Sequence, residues 1–236
     1  MTDSLEHQPI ADTLVRLFNE AEAADRKLFE QFTDGESSEL MIEKAVAEHM
    51  EAEARDLRGF YRGYADNFLN VTPEYGRFLY QCTRLRGARR IVEFGTSMGV
   101  STIYLAAALR DNGGGQLIGT ELEPAKAARA CANLEAAGLA DLVDIRVGDA
   151  RETLAELAGL GGTVDLVLLD GAFSLYLPVL QLIEPCLPAG AVVLAENAFD
   201  HDNAYLAYVR DPANGYRSQP LAINEGRGNE FSVRTR

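Results

Sequence analysis

Cysteine, basic side chains and long apolar runs are what this sequence has least of. Its three cysteines, Cys82, Cys131 and Cys186, are odd in number and widely spaced, which argues against a disulfide framework or a cysteine zinc site and leaves buried free thiols as the expectation. Lys and Arg number 22 against 36 Asp and Glu, a formal charge of −14. Such a surface repels phosphate backbones, so no nucleic-acid partner is expected. No apolar run approaches the ~20 residues that span a bilayer, and Met1-Thr-Asp-Ser-Leu-Glu6 lacks the basic and apolar regions of a signal peptide. The expectation is a cytoplasmic protein with no membrane association. The dinucleotide fingerprint Gly-x-Gly-x-x-Gly is also missing, which sets nicotinamide and flavin cofactors aside.

What is present is organised around Ile91-Val-Glu-Phe-Gly-Thr-Ser-Met-Gly-Val-Ser101. A short apolar run reads as a buried strand, Gly95 to Gly99 as a tight turn, and Val100 onward as a helix. Gly95 and Gly99 let the backbone turn sharply and approach a ligand, while the amides of Thr96, Ser97 and the first helical turn point toward it. Glu93, at the strand end, suits a cationic group better than a pyrophosphate. The turn therefore predicts a small polar ligand.

Hydrophobic content of 47% over 236 residues is enough for one α/β domain with an appendage. Residues 1–70 carry 16 acidic and 7 basic side chains and show two helical apolar series, Ile10 to Phe32 and Ile42 to Phe68. They predict an N-terminal helical appendage over 1–70, suited to a lid or a dimer contact. On the second series Tyr61, Tyr64 and Phe68 read as core and His49 as a surface or packing histidine. Val71-Thr-Pro-Glu-Tyr-Gly76 reads as a break, with a helix resuming over 77–84. The basic cluster Arg84, Arg86, Arg89, Arg90 is expected to be solvated or ion-paired.

From residue 71 to 236 strands and helices alternate: strand 91–94 and helix 100–110, 116–121 and 124–137, 143–147 and 151–158, 164–169 and 175–187, 191–195 and 203–210. Five βα units predict a Rossmann-like, mostly parallel sheet with helices on both faces. Two further β-like runs, 219–223 and 231–234, predict a closing hairpin with antiparallel strands. Ligands of such a sheet bind beyond the carboxyl ends of the strands. Those ends carry Glu93, Glu121, Gly148-Asp149-Ala150, Asp170-Gly171 and Glu196-Asn197. Glu121 is placed to accept both hydroxyls of a ribose, with Asp149 and Ala150 beside the base.

The motifs Thr72-Pro-Glu-Tyr-Gly76, Glu93-Phe-Gly-Thr-Ser-Met-Gly99, Gly119-Thr-Glu121, Gly148-Asp149, Leu169-Asp170-Gly171, Tyr176-Leu-Pro178, Glu196-Asn197 and Tyr208-Val-Arg-Asp-Pro212 resemble those of the class I S-adenosylmethionine-dependent methyltransferases. The likeness is nearest to their metal-dependent catechol and caffeoyl-CoA O-methyltransferase branch and to bacterial small-molecule O-methyltransferases. It implies a seven-stranded sheet with an antiparallel last strand, S-adenosylmethionine as cofactor, a small hydroxyl-bearing aromatic substrate, and often a homodimer. It places the methionine end of the cofactor over Glu93, Gly95, Ser97 and Ser101, the ribose on Glu121, and the adenine beside Asp149 and Ala150. A Mg²⁺ ion would be held by Asp170, Glu196 and Asn197.

Two positions depart from that branch. Phe173 stands where a basic lysine is common, three residues beyond Asp170, and Glu196 stands where Asp is usual. Phenylalanine carries no proton, so His201, flanked by Asp200 and Asp202, is the base candidate after strand five. Phe173 would instead widen the apolar wall of the substrate pocket. The sequence thus leaves two reactions open: O-methyl transfer in secondary metabolism, or a non-methylating reaction such as a cyclase, lyase or pericyclic step in the same cofactor-binding fold.

Overall fold

A computed structural model describes residues 3–33, 39–157, 163–199, 203–224 and 228–236. Seven strands form one sheet: β1 (Arg90–Phe94), β2 (Gln116–Glu121), β3 (Val143–Val147), β4 (Leu166–Leu169), β5 (Val192–Ala195), β6 (Tyr216–Leu221) and β7 (Asn229–Arg234). Their spatial order is β3-β2-β1-β4-β5-β7-β6, with β1 to β5 parallel and β7 antiparallel to both its neighbours. The Rossmann-like sheet and its reversed last strand are as the sequence implied. Every residue of β4 and β5 is buried, which is why both read as unbroken apolar runs rather than as alternations.

Nine helices are described: α1 (Gln8–Thr33), α2 (Glu39–Arg55), α3 (Leu57–Arg62), α4 (Pro73–Arg86), α5 (Val100–Asp111), α6 (Pro124–Ala136), α7 (Ala150–Thr153), α8 (Tyr176–Ile183) and α9 (Ala204–Arg210). The apolar stripe of α1, with Ile10, Leu14, Leu17 and Ala21, is buried in the same core as α5 and the inner strands. No helix among the described residues is long and apolar enough to cross a membrane.

Several boundaries differ from expectation for local reasons. The second N-terminal series does not run unbroken to Phe68. Asp56 interrupts it by accepting from the Gly59 amide and capping α3, which ends at Gly63. Thr72-Pro73 is a helix start rather than a break: the Thr72 hydroxyl accepts from the Tyr75 amide at 3.3 Å, and Pro73 occupies the first turn, where no amide is needed. The helix expected over 151–158 is the short α7 alone, and residues 158–162 lie outside the described chain. Cys82 and Cys186 are buried, but Cys131 is exposed. In the basic cluster, Arg84 pairs with Asp111 and Arg86 with Asp165.

Order along the sheet reverses between β1 and β4. Their carboxyl ends are in register at Phe94 and Leu169, and such a reversal of strand order is where an open α/β sheet leaves a crevice for a ligand.

Candidate active site

The turn after β1 is fixed from below. Glu93 is fully buried; its Oε1 accepts from Ser101 Oγ at 2.6 Å, and its Oε2 from Thr102 Oγ1 at 2.6 Å and Thr96 Oγ1 at 3.0 Å. Burial pushes its pKa up, only partly opposed by the three hydroxyls. Glu93, Thr96 and Ser101 are thus bonded to one another beneath the turn. Gly95 has φ +96°, and a Cβ there would lie 2.1 Å from the carbonyl oxygen of Asp170. Only glycine lets β1 and β4 loops meet this closely. Gly99, also left-handed at φ +87°, caps α5. Ser97 adopts φ +48° without being glycine. Its amide donates to Glu121 Oε2 at 2.7 Å and its hydroxyl to the Phe68 carbonyl at 2.5 Å.

A cleft open to solvent on one side, about 590 Å³ when that open space is counted, lies above this turn, and Gly95, Ser97, Glu121, Asp149, Ala150 and Asp170 all line it. Six residues singled out at four strand ends therefore share one wall system. Glu121 also accepts from the Glu123 amide at 2.9 Å. Asp149 caps α7 by accepting from the Arg151 amide and pairs with the Arg151 guanidinium at 2.6 Å, which together hold its pKa low. At the end of β5, Glu196 is fully buried and accepts from Asn197 Nδ2 at 3.1 Å, with Asn197 at φ +55°.

Residues 92–198 match the family described as a methyltransferase domain. The chain is thus similar to a methyltransferase domain over somewhat less than half of its length. It is 36% identical over 130 residues, 55% of this chain and 58% of the relative, to a protein from Niastella koreensis named catechol O-methyltransferase. The chain thus spans just over half the length of the curated relatives it matches. Among solved structures, the O-methyltransferase TomG of Streptomyces achromogenes, involved in tomaymycin synthesis and bound to S-adenosylmethionine, is 25% identical with a TM-score of 0.62, covering 92% of this chain and 99% of that one. An O-methyltransferase from Bacillus cereus, in complex with S-adenosylhomocysteine, shares the fold at 21% identity and TM-score 0.64, covering 91% and 97%.

The loop after β4 meets α2. Phe173 stacks on the His49 ring at 4.8 Å between centroids and touches Phe199 and Tyr176 edge-on. His49 is therefore a packing histidine, as expected. It is anchored by Glu53, whose side chain is wholly buried and accepts from His49 Nε2 at 3.0 Å, Tyr61 hydroxyl at 2.5 Å and the Ser174 amide at 3.0 Å. Leu57 and Tyr61 of α3 line the cleft. The sequence reading missed Glu53, one of many acidic side chains in the N-terminal segment. Its only local clues were His49 four residues before it and Tyr61 eight after.

Burial alone would raise the Glu53 pKa, but the bonds from His49, Ser174 and Tyr61 outweigh it and the value lies below the ordinary 4.5. A depressed carboxyl stabilises the fold fully above its unfolded pKa and loses that contribution as pH falls through the folded one. The melting temperature is therefore expected to drop as pH is lowered from about 5 through that range. Scanning calorimetry of Glu53→Gln should show a smaller acid-dependent fall than the wild type; equal falls would exclude Glu53 as the source.

Asp170, Glu196 and Asn197 end neighbouring strands and offer carboxylate and amide oxygens, the donor chemistry of a hard divalent ion. Tyr75 supports a polar function there: it is fully buried, and its hydroxyl has no partner among the described residues. Burial and then the carboxylates of Glu196 and Asp170 push its pKa well up. No three Asp, Glu, His or Cys side chains converge to hold an ion among the described residues, so any ion would rest on two carboxylates and the Asn197 amide. His201, with Asp200 and Asp202, lies outside the described residues.

Proposed function

We propose that this chain transfers the methyl group of S-adenosylmethionine to a hydroxyl of a small aromatic molecule. The observation that carries the reading is the joint placement of Gly95, Ser97, Glu121, Asp149, Ala150 and Asp170 around one cleft at the switch point of the sheet. In this reading Glu121 takes the ribose, Asp149 and Ala150 flank the adenine, and the turn over Gly95 and Ser97 faces the methionine end. The names of the relatives, catechol O-methyltransferase and O-methyltransferase, support the hydroxyl acceptor.

Methyl transfer from a sulfonium to an oxygen needs an in-line approach and loss of one proton, and little covalent help from the protein. Gly95 allows the cofactor loop and the Asp170 loop to touch, which sets the distance between donor and acceptor sides. Helices α2 and α3, held by Glu53 on the Ser174 amide, act as the lid that residues 1–70 supply, and the same helical segment is proposed as the homodimer contact. A Mg²⁺ ion held by Asp170, Glu196 and Asn197 would act as a Lewis acid that favours the ionised hydroxyl.

Incubation with S-adenosylmethionine and a catechol such as 3,4-dihydroxybenzoate, read by mass spectrometry, tests the reaction. The expected product is heavier by one CH₂ unit. Phe173 favours a second reading, because it stands in sequence where the resemblance expects a basic lysine, and its ring packs within an aromatic cluster. An enzyme that had abandoned methylation would convert its substrate to an isomer or fragment with no CH₂ gained.

A further inference from the structure

Lys126 stands in the first turns of α6 and lines the cleft. Its position is unusual for an ammonium group, because the residue is only 4% exposed. A buried cation is normally paired and fully hydrogen-bonded. Here Nζ makes one hydrogen bond, to Ser97 Oγ at 3.3 Å, and no carboxylate of the described residues is within ion-pair distance. Two of its three protons therefore have no partner among those residues.

The two acids that act on it most strongly, Glu121 and Asp25, are engaged elsewhere. Asp25 accepts from the Phe68 and Leu69 amides and from Asn67 Nδ2. Glu121 gives one oxygen to the Ser97 amide and the other to the Glu123 amide. Ser97 Oγ has committed its own proton to the Phe68 carbonyl, so it can only accept from Lys126. Burial lowers the lysine pKa, while Glu121, Asp25, Glu123 and Asp66 act against that loss at longer range. A desolvated cation in a cleft wall, beside the turn where the amino-acid end of the cofactor is expected, calls for an anion. S-adenosylmethionine carries one anionic group.

We propose that Lys126 is the subsite for the α-carboxylate of the cofactor, with Ser97 Oγ orienting its ammonium group. The inference rests on the cofactor reading above. It gives the cleft a specific chemistry: a carboxylate-bearing sulfonium or thioether nucleoside is selected over the same nucleoside without that carboxylate.

Calorimetric titration with S-adenosylhomocysteine and with its decarboxylated analogue, which keeps the amine, tests it. The wild type should bind the first roughly 10- to 100-fold more tightly, the range of one charge-assisted hydrogen-bonded contact. Lys126→Met should erase the preference by weakening only S-adenosylhomocysteine, and Lys126→Arg should keep part of it. Should the Met variant be unfolded, Lys126→Gln, which keeps a donor for Ser97, makes the same comparison. Equal wild-type affinities, or an equal loss for both ligands in Lys126→Met, would overturn the assignment and leave Lys126 as a neutraliser of Glu121 and Asp25. No binding of S-adenosylhomocysteine at all would overturn the cofactor reading as well, so the two failures are distinguishable.

Discussion

Replacing Glu121 by alanine is expected to weaken S-adenosylhomocysteine binding by about 100-fold or more. Two losses combine. The proposed ribose contact disappears, and with it two charge-assisted bonds that water in the cleft would replace only in part. The Ser97 amide also loses its acceptor at 2.7 Å, which frees a residue held at a left-handed φ that serine does not favour. Glu121→Gln separates these effects. It keeps one oxygen for the Ser97 amide but cannot serve two amides and two hydroxyls, so a loss of roughly 10-fold is expected. Titration calorimetry on variants whose melts match the wild type reads both. Wild-type affinity in Glu121→Ala would mean that the ribose lies elsewhere.

Glu93→Ala is expected to be the most damaging single change to the fold, costing about 3–5 kcal/mol. The carboxylate is the shared acceptor for Thr96, Ser101 and Thr102, and its removal leaves three buried hydroxyls competing for backbone carbonyls around a new cavity. Each unsatisfied group costs about 1–3 kcal/mol, and rearrangement recovers part of the sum. Glu93→Gln retains the shape and one oxygen, so about 1–2 kcal/mol is expected. Urea denaturation measures both. A cost below 1 kcal/mol for the alanine variant would show that the turn is held by its glycines and by Ser97 rather than from beneath.

The parts of the site that were legible in the sequence are those a strand carries to its own end. Glu121 and Asp170 close apolar runs, and a parallel sheet brings such ends to one edge whatever the loops do. Glycine spacing identified the turn because Gly95 and Gly99 are needed locally. Glu93 was legible as a strand-end acid, but its environment was not: the hydroxyls that surround it come from positions 96, 101 and 102, which read as an ordinary turn and helix start.

Long-range pairing hid the rest. Glu53 meets Ser174 across 121 positions, and nothing in the helical periodicity of α2 distinguishes it from its solvated neighbours. Lys126 reads as a surface lysine near the start of a helix. Ser97 and the strap around Phe68, held by Asp25, lie at the same wall of the cleft. The last strands were displaced for a different reason. β6 starts at Tyr216, and its Arg217, Ser218, Gln219 and Pro220 belong to the sheet edge, where polar residues and proline are tolerated and the apolar pattern fades.

The most direct test of the account is titration of the wild-type protein with S-adenosylhomocysteine. One molecule should bind per chain, with a dissociation constant on the order of micromolar, the tight end of common KM values. No heat and no rise in melting temperature at ligand concentrations up to about 1 mM would contradict it.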